Sequence, residues 1–137
     1  MSTKKLFFAL VLLIAQLLSG ISFASENPLF VTITSQSCFT CQTLKPIVEE
    51  LKNEFDGRVN FVTLDVSSKS SLEEAKEIVS DLQITSFFNE NKSSLPSVGI
   101  FCPGGKLEKN FTAEIDIKVY KEELNKLLED SYKVCSL

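Results

Sequence analysis

Apolar and polar positions follow two different periods along this chain. Leu29-Phe30-Val31-Thr32-Ile33-Thr34 crowds β-branched and aromatic residues into one short run, which predicts a strand. Leu44, Val48, Leu51 and Phe55 then recur at alternating spacings of four and three, one face of a helix that should stop at Asp56-Gly57. A second strand is expected over residues 59–66, with Asp65 near its end turning the chain outward. Ser70 and Ser71 with Glu73 and Glu74 offer a capping box for a second helix, which carries Leu72, Ala75, Val79 and Leu82 on one face. From residue 85 to 94 the periodicity lapses. This stretch, polar apart from Phe87 and Phe88, reads either as a long loop or, the preferred reading, as a partly helical extension that tucks both rings onto the core.

Leu95-Pro96-Ser97 leads into residues 98–102, a run continuous enough for a buried strand. Pro103-Gly104-Gly105 signals a hairpin turn, residues 106–111 pair back as an edge strand, and Asp116 opens a last helix with Tyr120, Leu124, Leu127 and Leu128 inward. The expected order is β-α-β-α-β-β-α, an α/β class with neither repeats nor low-complexity segments.

Residues 1–24 obey another pattern. Lys4 and Lys5 precede an apolar stretch from Leu6 to Leu18, and Ser22-Phe23-Ala24 puts small residues where a signal peptidase reads. This predicts a signal peptide over 1–24, cleaved after Ala24, and one domain over 25–137. An uncleaved membrane anchor is the alternative, because the apolar stretch continues through Ile21 and Phe23. No cysteine stands at the exit for a lipid to be attached.

Composition narrows the chemistry. At 137 residues and 44% hydrophobic the chain has enough apolar surface for one modest core. Cleavage would remove Lys4 and Lys5 from the 14 basic residues and none of the 18 acidic ones, so the net charge of the remainder would be −6. That balance and the lack of any basic cluster argue against nucleic acid or an anionic membrane surface as partner. Histidine is absent, which excludes Cys-His catalysis and histidine-containing zinc sites.

The chemistry that remains lies in Ser37-Cys38-Phe39-Thr40-Cys41, between the first strand and the first helix. First-turn N–H groups have no intrahelical partner and the dipole there is positive, so a thiolate at Cys38 is favoured and its pKa should fall below the usual ~8.5. Cys38 is therefore the candidate nucleophile and Cys41, one turn further in and more buried, the candidate resolving thiol. Ser35, Gln36 or Ser37 could cap the helix. Pro46 falls inside the helical pattern and should bend it. A structural zinc site is disfavoured, since Cys102 and Cys135 stand singly and tetrahedral zinc needs four ligands. Cys102 is most simply a small buried apolar residue and Cys135 an exposed tail residue, and a bridge between them stays open.

This order of elements with a Cys-x-x-Cys at the first strand–helix junction resembles the thioredoxin family over roughly residues 28–130. Cys38 and Cys41 match its redox pair, Pro46 its helix-kinking proline and Asp65 an acidic residue closing the next strand. Leu95-Pro96-Ser97 looks like its apolar-Pro-Thr element, whose proline is cis and faces the active site. The resemblance implies a thioredoxin-like fold, a central mixed sheet flanked by helices. It also implies thiol–disulfide exchange through Cys38 and Cys41, with Phe39, Thr40, Leu95 and Pro96 as substrate-binding residues.

Ser37 stands where the family has tryptophan, and Thr32 where cytosolic members carry a buried carboxylate. Phe39-Thr40 replaces Gly-Pro, and the family's extra N-terminal strand and helix have no counterpart. These departures weaken the cytosolic-reductase role and leave the thiol chemistry. The expected function is an exported protein-disulfide oxidoreductase, of either direction, in a bacterial periplasm or cell envelope. The alternative is a catalytically weak binding module that docks a partner or a thiophilic metal. The expected partners are protein thiols or disulfides and a partner that recycles the pair, with no cofactor, no resident metal and no nucleic acid. Membrane contact is expected only if residues 1–24 stay attached, and the protein is expected to be a monomer.

Overall fold

The computed structural model describes Thr3 and residues 26–136, so the leader assigned to residues 1–24 lies, Thr3 apart, outside the described residues. The elements in order are β1 (Leu29–Thr34), α1 (Phe39–Glu54), β2 (Asn60–Asp65), α2 (Lys69–Asp81), α3 (Thr85–Asn91), β3 (Ser97–Phe101), β4 (Leu107–Thr112), α4 (Ile117–Glu129) and α5 (Ser131–Cys135). The four strands form one mixed sheet in the order β2-β1-β3-β4. β1 runs parallel to β2 and antiparallel to β3, and β3 pairs antiparallel with β4. This is the α/β thioredoxin-like architecture that the periodicity and the resemblance led us to expect.

Each face of the sheet carries its own core, because side chains alternate along β1. Phe30 points toward α1 and α4, where Leu44, Leu51, Tyr120 and Leu124 cover it. Val31 and Ile33 point the other way, toward Ala75 and Val79 of α2 and Phe87 and Phe88 of α3. All five residues of β3 are buried, which accounts for its unbroken apolar run.

Several local expectations change. The stretch from 85 to 94 is helical over Thr85–Asn91, with Phe87 and Phe88 both buried, so the packed reading holds and the open-loop reading does not. The capping box of α2 is built by Ser68 and Ser71, not by Ser70 and Ser71 with Glu73 and Glu74: the Ser71 N–H donates to Ser68 Oγ and the Ser68 N–H to Ser71 Oγ. A serine hydroxyl reaches back as well as a longer carboxylate because the pair closes over a single turn. The hairpin turn after β3 places Gly104 and Gly105 at φ of 95° and 99°, a region that only glycine enters freely.

The tail also differs from expectation. It forms α5, and Cys135 on it is half-buried and disulfide-bonded to buried Cys102 just past β3, with Cα atoms 5.8 Å apart. α5 comes back over that end of β3 instead of leaving the fold. Among the described residues no helix is long and apolar enough to cross a membrane.

Candidate functional site

β1 delivers the chain to the site. Its last residue, Thr34, accepts the Val66 N–H through its carbonyl, so the ends of β1 and β2 stay together as the chain turns through Ser35, Gln36 and Ser37. Asp65 Oδ1 accepts the Ser67 N–H at 2.8 Å and is also bonded by the Ser67 hydroxyl, and Ser67 Oγ in turn accepts the Gln36 N–H at 2.8 Å. Asp65 thus does more than turn the strand outward: through Ser67 it holds the turn ahead of Cys38. An Asp followed two residues later by Ser is an Asx-turn signal that could have been read from the sequence.

The cap of α1 is Cys38 itself, which corrects the assignment to Ser35, Gln36 or Ser37. Its backbone is extended and its Sγ accepts the Cys41 N–H at 3.1 Å, so the sulfur takes the position of a capping oxygen. An orphan N–H and the positive end of a 16-residue helix both face this sulfur, an arrangement that favours a thiolate once the pair is reduced. In the structure Cys38 is disulfide-bonded to Cys41, with Cα atoms 5.2 Å apart. Cys38 is half-buried and Cys41 only 3% exposed. Pro46 lies inside α1.

The residues between the cysteines face outward: Phe39 is 85% exposed, a large apolar ring beside the reactive sulfur, and Thr40 is half-buried. Leu95 and Pro96 come to the same end of the sheet. Ser97 of β3 pairs with Ile33 of β1, so one step further Pro96 lies beside Thr34, where the chain leaves for Cys38. The Leu95–Pro96 peptide bond is cis, and the Pro96 carbonyl accepts the Ala113 N–H. Leu95 N–H and C=O meet no partner among the described residues, so its backbone is free to pair with an extended chain.

Thr32 of β1 lies beneath Cys41. Thr32 is 5% exposed, and its Oγ1 meets no hydrogen-bonding partner in the protein. Thr32 and Cys41 line a cavity of about 250 Å³ that also reaches Thr63 and Asp65 on β2. Among the described residues no group of three or more His, Cys, Asp or Glu side chains is placed to hold a metal ion.

Comparison with known proteins agrees with this geometry. The family model described as thioredoxin matches residues 19–113. The chain is 29% identical over 92 residues to NADPH-dependent thioredoxin reductase 3 of Arabidopsis thaliana, covering 67% of this chain and 16% of that protein. It is 39% identical over 44 residues to thioredoxin C-2 of Corynebacterium nephridii, covering 32% of this chain and 41% of that protein. The chain therefore spans less than half the length of either curated relative. Among solved structures, the crystal structure of thioredoxin O2 from Arabidopsis thaliana in the oxidised state superposes with a TM-score of 0.53 at 19% identity, covering 75% of this chain and 76% of that one. That likeness concerns the fold.

Proposed function

Because the chain belongs to the thioredoxin family, we propose that it is an exported thiol–disulfide oxidoreductase working through Cys38 and Cys41. The geometry of Cys38 supports this most directly: its sulfur caps α1, accepts the Cys41 N–H and lies within bonding reach of the Cys41 sulfur. In the reducing direction the Cys38 thiolate attacks a substrate disulfide, one substrate sulfur leaves as a thiolate, and a mixed disulfide forms on Cys38. Cys41 then attacks Cys38, the second substrate sulfur leaves, and the pair is oxidised. The oxidising direction runs the same steps backwards. The reduction potential of the pair sorts the two: a value near about −270 mV marks a reductase and one near about −120 mV an oxidase.

Protein chains are the substrates. Exposed Phe39 and Thr40 offer a contact surface, and the free backbone of Leu95 next to Pro96 takes an extended segment by strand pairing, with little sequence selectivity. One relative bears the name of a thioredoxin reductase, which supports a reductase as the partner that recycles the pair. Export to a bacterial periplasm or envelope is supported by the leader-like pattern of residues 1–24 and by the second bridge, since structural disulfides persist in oxidising compartments. The protein acts as a monomer.

The test is a pair of trapping variants. Cys41→Ser keeps attack and loses resolution, so mixed disulfides with partner proteins accumulate on non-reducing gels. Cys38→Ser gives neither adducts nor turnover. Equal trapping by both variants would reverse the roles, and no trapping together with no insulin reduction by the wild type would hand the site to the binding-module reading.

A further inference from the structure

The loop that presents Leu95 is fastened to the rest of the fold by polar side chains. Asn91, the last residue of α3, is only 6% exposed, yet both ends of its amide are hydrogen-bonded. Its Nδ2 donates to the Phe87 carbonyl at 2.8 Å, and its Oδ1 accepts from Asn110 Nδ2 of β4, also at 2.8 Å. Asn110 stands opposite Gly99 of β3, the position whose missing Cβ makes room for the Phe87 ring. The Asn91 carbonyl accepts the Ser94 N–H at 3.0 Å. Fully buried Ser97 donates its hydroxyl to the Ser94 carbonyl, and the Asn91 carbonyl lies 3.4 Å from the same oxygen. The Pro96 carbonyl takes the Ala113 N–H just beyond β4. The chain is thus pinned on both sides of Leu95, whose own N–H and C=O meet no partner among the described residues.

We propose that Asn91 and Asn110 are a positioning pair that fixes the Leu95 backbone for pairing with a substrate chain, so that this clamp makes the protein prefer polypeptide disulfides to small ones. This rests on the exchange function proposed above. An extended segment added at a free edge gains affinity from main-chain hydrogen bonds, and that gain shrinks by whatever ordering the edge itself must undergo on binding. Apolar contacts at the end of α3 would tolerate sliding. Hydrogen bonds have direction, and a buried polar network with every member satisfied specifies one geometry. Cys38 is held by other groups, the Cys41 N–H at its sulfur and the turn that Ser67 fastens at Gln36. Attack on a disulfide too small to pair with Leu95 therefore does not call on the clamp.

Asn91→Leu keeps the size of the side chain and removes the clamp. Asn110 is exposed and takes water in exchange, so the variant folds about as stably as the wild type. Asn110→Ala cuts the same link from the exposed side and serves if the buried substitution does not fold. Turnover is measured with dithiothreitol recycling the pair, on a disulfide-linked peptide and on hydroxyethyl disulfide. In both variants KM for the peptide rises on the order of tenfold with kcat unchanged, the loss expected for about one hydrogen bond. Their rate with hydroxyethyl disulfide stays within about twofold of the wild type. An unchanged peptide KM, or a loss of equal size on both substrates, overturns the proposal. A second readout needs no turnover: the same peptide with its cysteines replaced by serine is titrated into the oxidised protein while the Leu95 amide signal is followed by NMR. That signal shifts in the wild type, and the variants need about tenfold more peptide for the same shift. A Leu95 amide that does not move in the wild type refutes the clamp even where exchange proceeds. A wild type that binds this peptide through Leu95 but exchanges no disulfide defeats the oxidoreductase reading and leaves the clamp standing.

Discussion

The two disulfides occupy opposite ends of the same pair of strands, and the comparison shows how surroundings divide one kind of bond between two tasks. Cys38–Cys41 lies beyond the C-terminal end of β1, spans three residues, and has one sulfur on the cap of a long helix. Cys102–Cys135 lies past the C-terminal end of antiparallel β3, hence at the other end of the sheet, and closes a loop of sequence separation 33. Opening the first bond leaves a thiolate facing an orphan N–H and a helix dipole. Opening the second leaves a thiolate on Cys102, which is 2% exposed and packed among apolar side chains, where charge is disfavoured. The short bridge is built to open and the long one to stay closed.

Removing the long bridge gives the largest effect. Loop-closure entropy makes it worth about 4 kcal/mol, against about 2 kcal/mol for the short one. Cys102→Ala with Cys135→Ala should therefore lower the urea-unfolding free energy by about 4 kcal/mol and leave the disulfide-exchange rate within about twofold, the two ends being separate. Mild dithiothreitol followed by alkylation should label two cysteines, not four. Loss of exchange in the double variant, or four labels before any unfolding, would dissolve the division of labour.

A smaller effect should break the separation. Gly99 stands in the middle of β3, and a Cβ there would come 2.7 Å from the Phe87 ring and 2.8 Å from that of Phe101. These rings pack edge to face at 5.3 Å and are buried, so neither has room to give. Gly99→Ala should cost up to about 3 kcal/mol through overpacking. It presses on α3, which leads into Leu95 and Pro96, so unlike loss of the long bridge it should also slow exchange. Unchanged stability would mean that Phe87 is not held where the packing puts it.

These contrasts explain what the sequence could disclose. Strand and helix order was legible because burial imposes a period on each element, as at Leu44, Val48, Leu51 and Phe55. The redox pair was legible because its chemistry lies in residue types a fixed distance apart. The Cys102–Cys135 bridge was not, since it depends on α5 returning to the end of β3, a tertiary distance that no spacing encodes. Cys38 as its own helix cap was hidden by two nearby serines, Ser35 and Ser37, with better capping side chains. The cavity beneath Cys41 was hidden because Thr32 and Thr63 become neighbours only when β1 and β2 pair in register. Gly99 gave no sign of its role, because the ring it must admit comes from another element.

The smallest effect tests whether the slab between the two ends is passive. Tyr120 of α4 is fully buried, edge-on to Phe30 and Phe111 at 5.5 and 5.4 Å, and its hydroxyl donates to the Glu114 carbonyl at 2.7 Å. Burial first, and then the Glu114 charge, holds the phenol well above its ordinary pKa. A folded pKa above the unfolded one means that the stability tied to the neutral phenol is complete below pH about 10. It is then lost as pH rises from there toward the folded value, because the unfolded chain ionises first. Tyr120→Phe should cost about 1 kcal/mol at neutral pH through the lost hydrogen bond. Above pH about 10 the variant should lose less stability than the wild type, so that their unfolding midpoints converge. Because Tyr120 contacts neither bridge partner at the site, exchange at neutral pH should not change. Midpoints that stay parallel across that range would show that the phenol already reaches solvent, and a slowed exchange would show that the slab transmits strain from one end to the other.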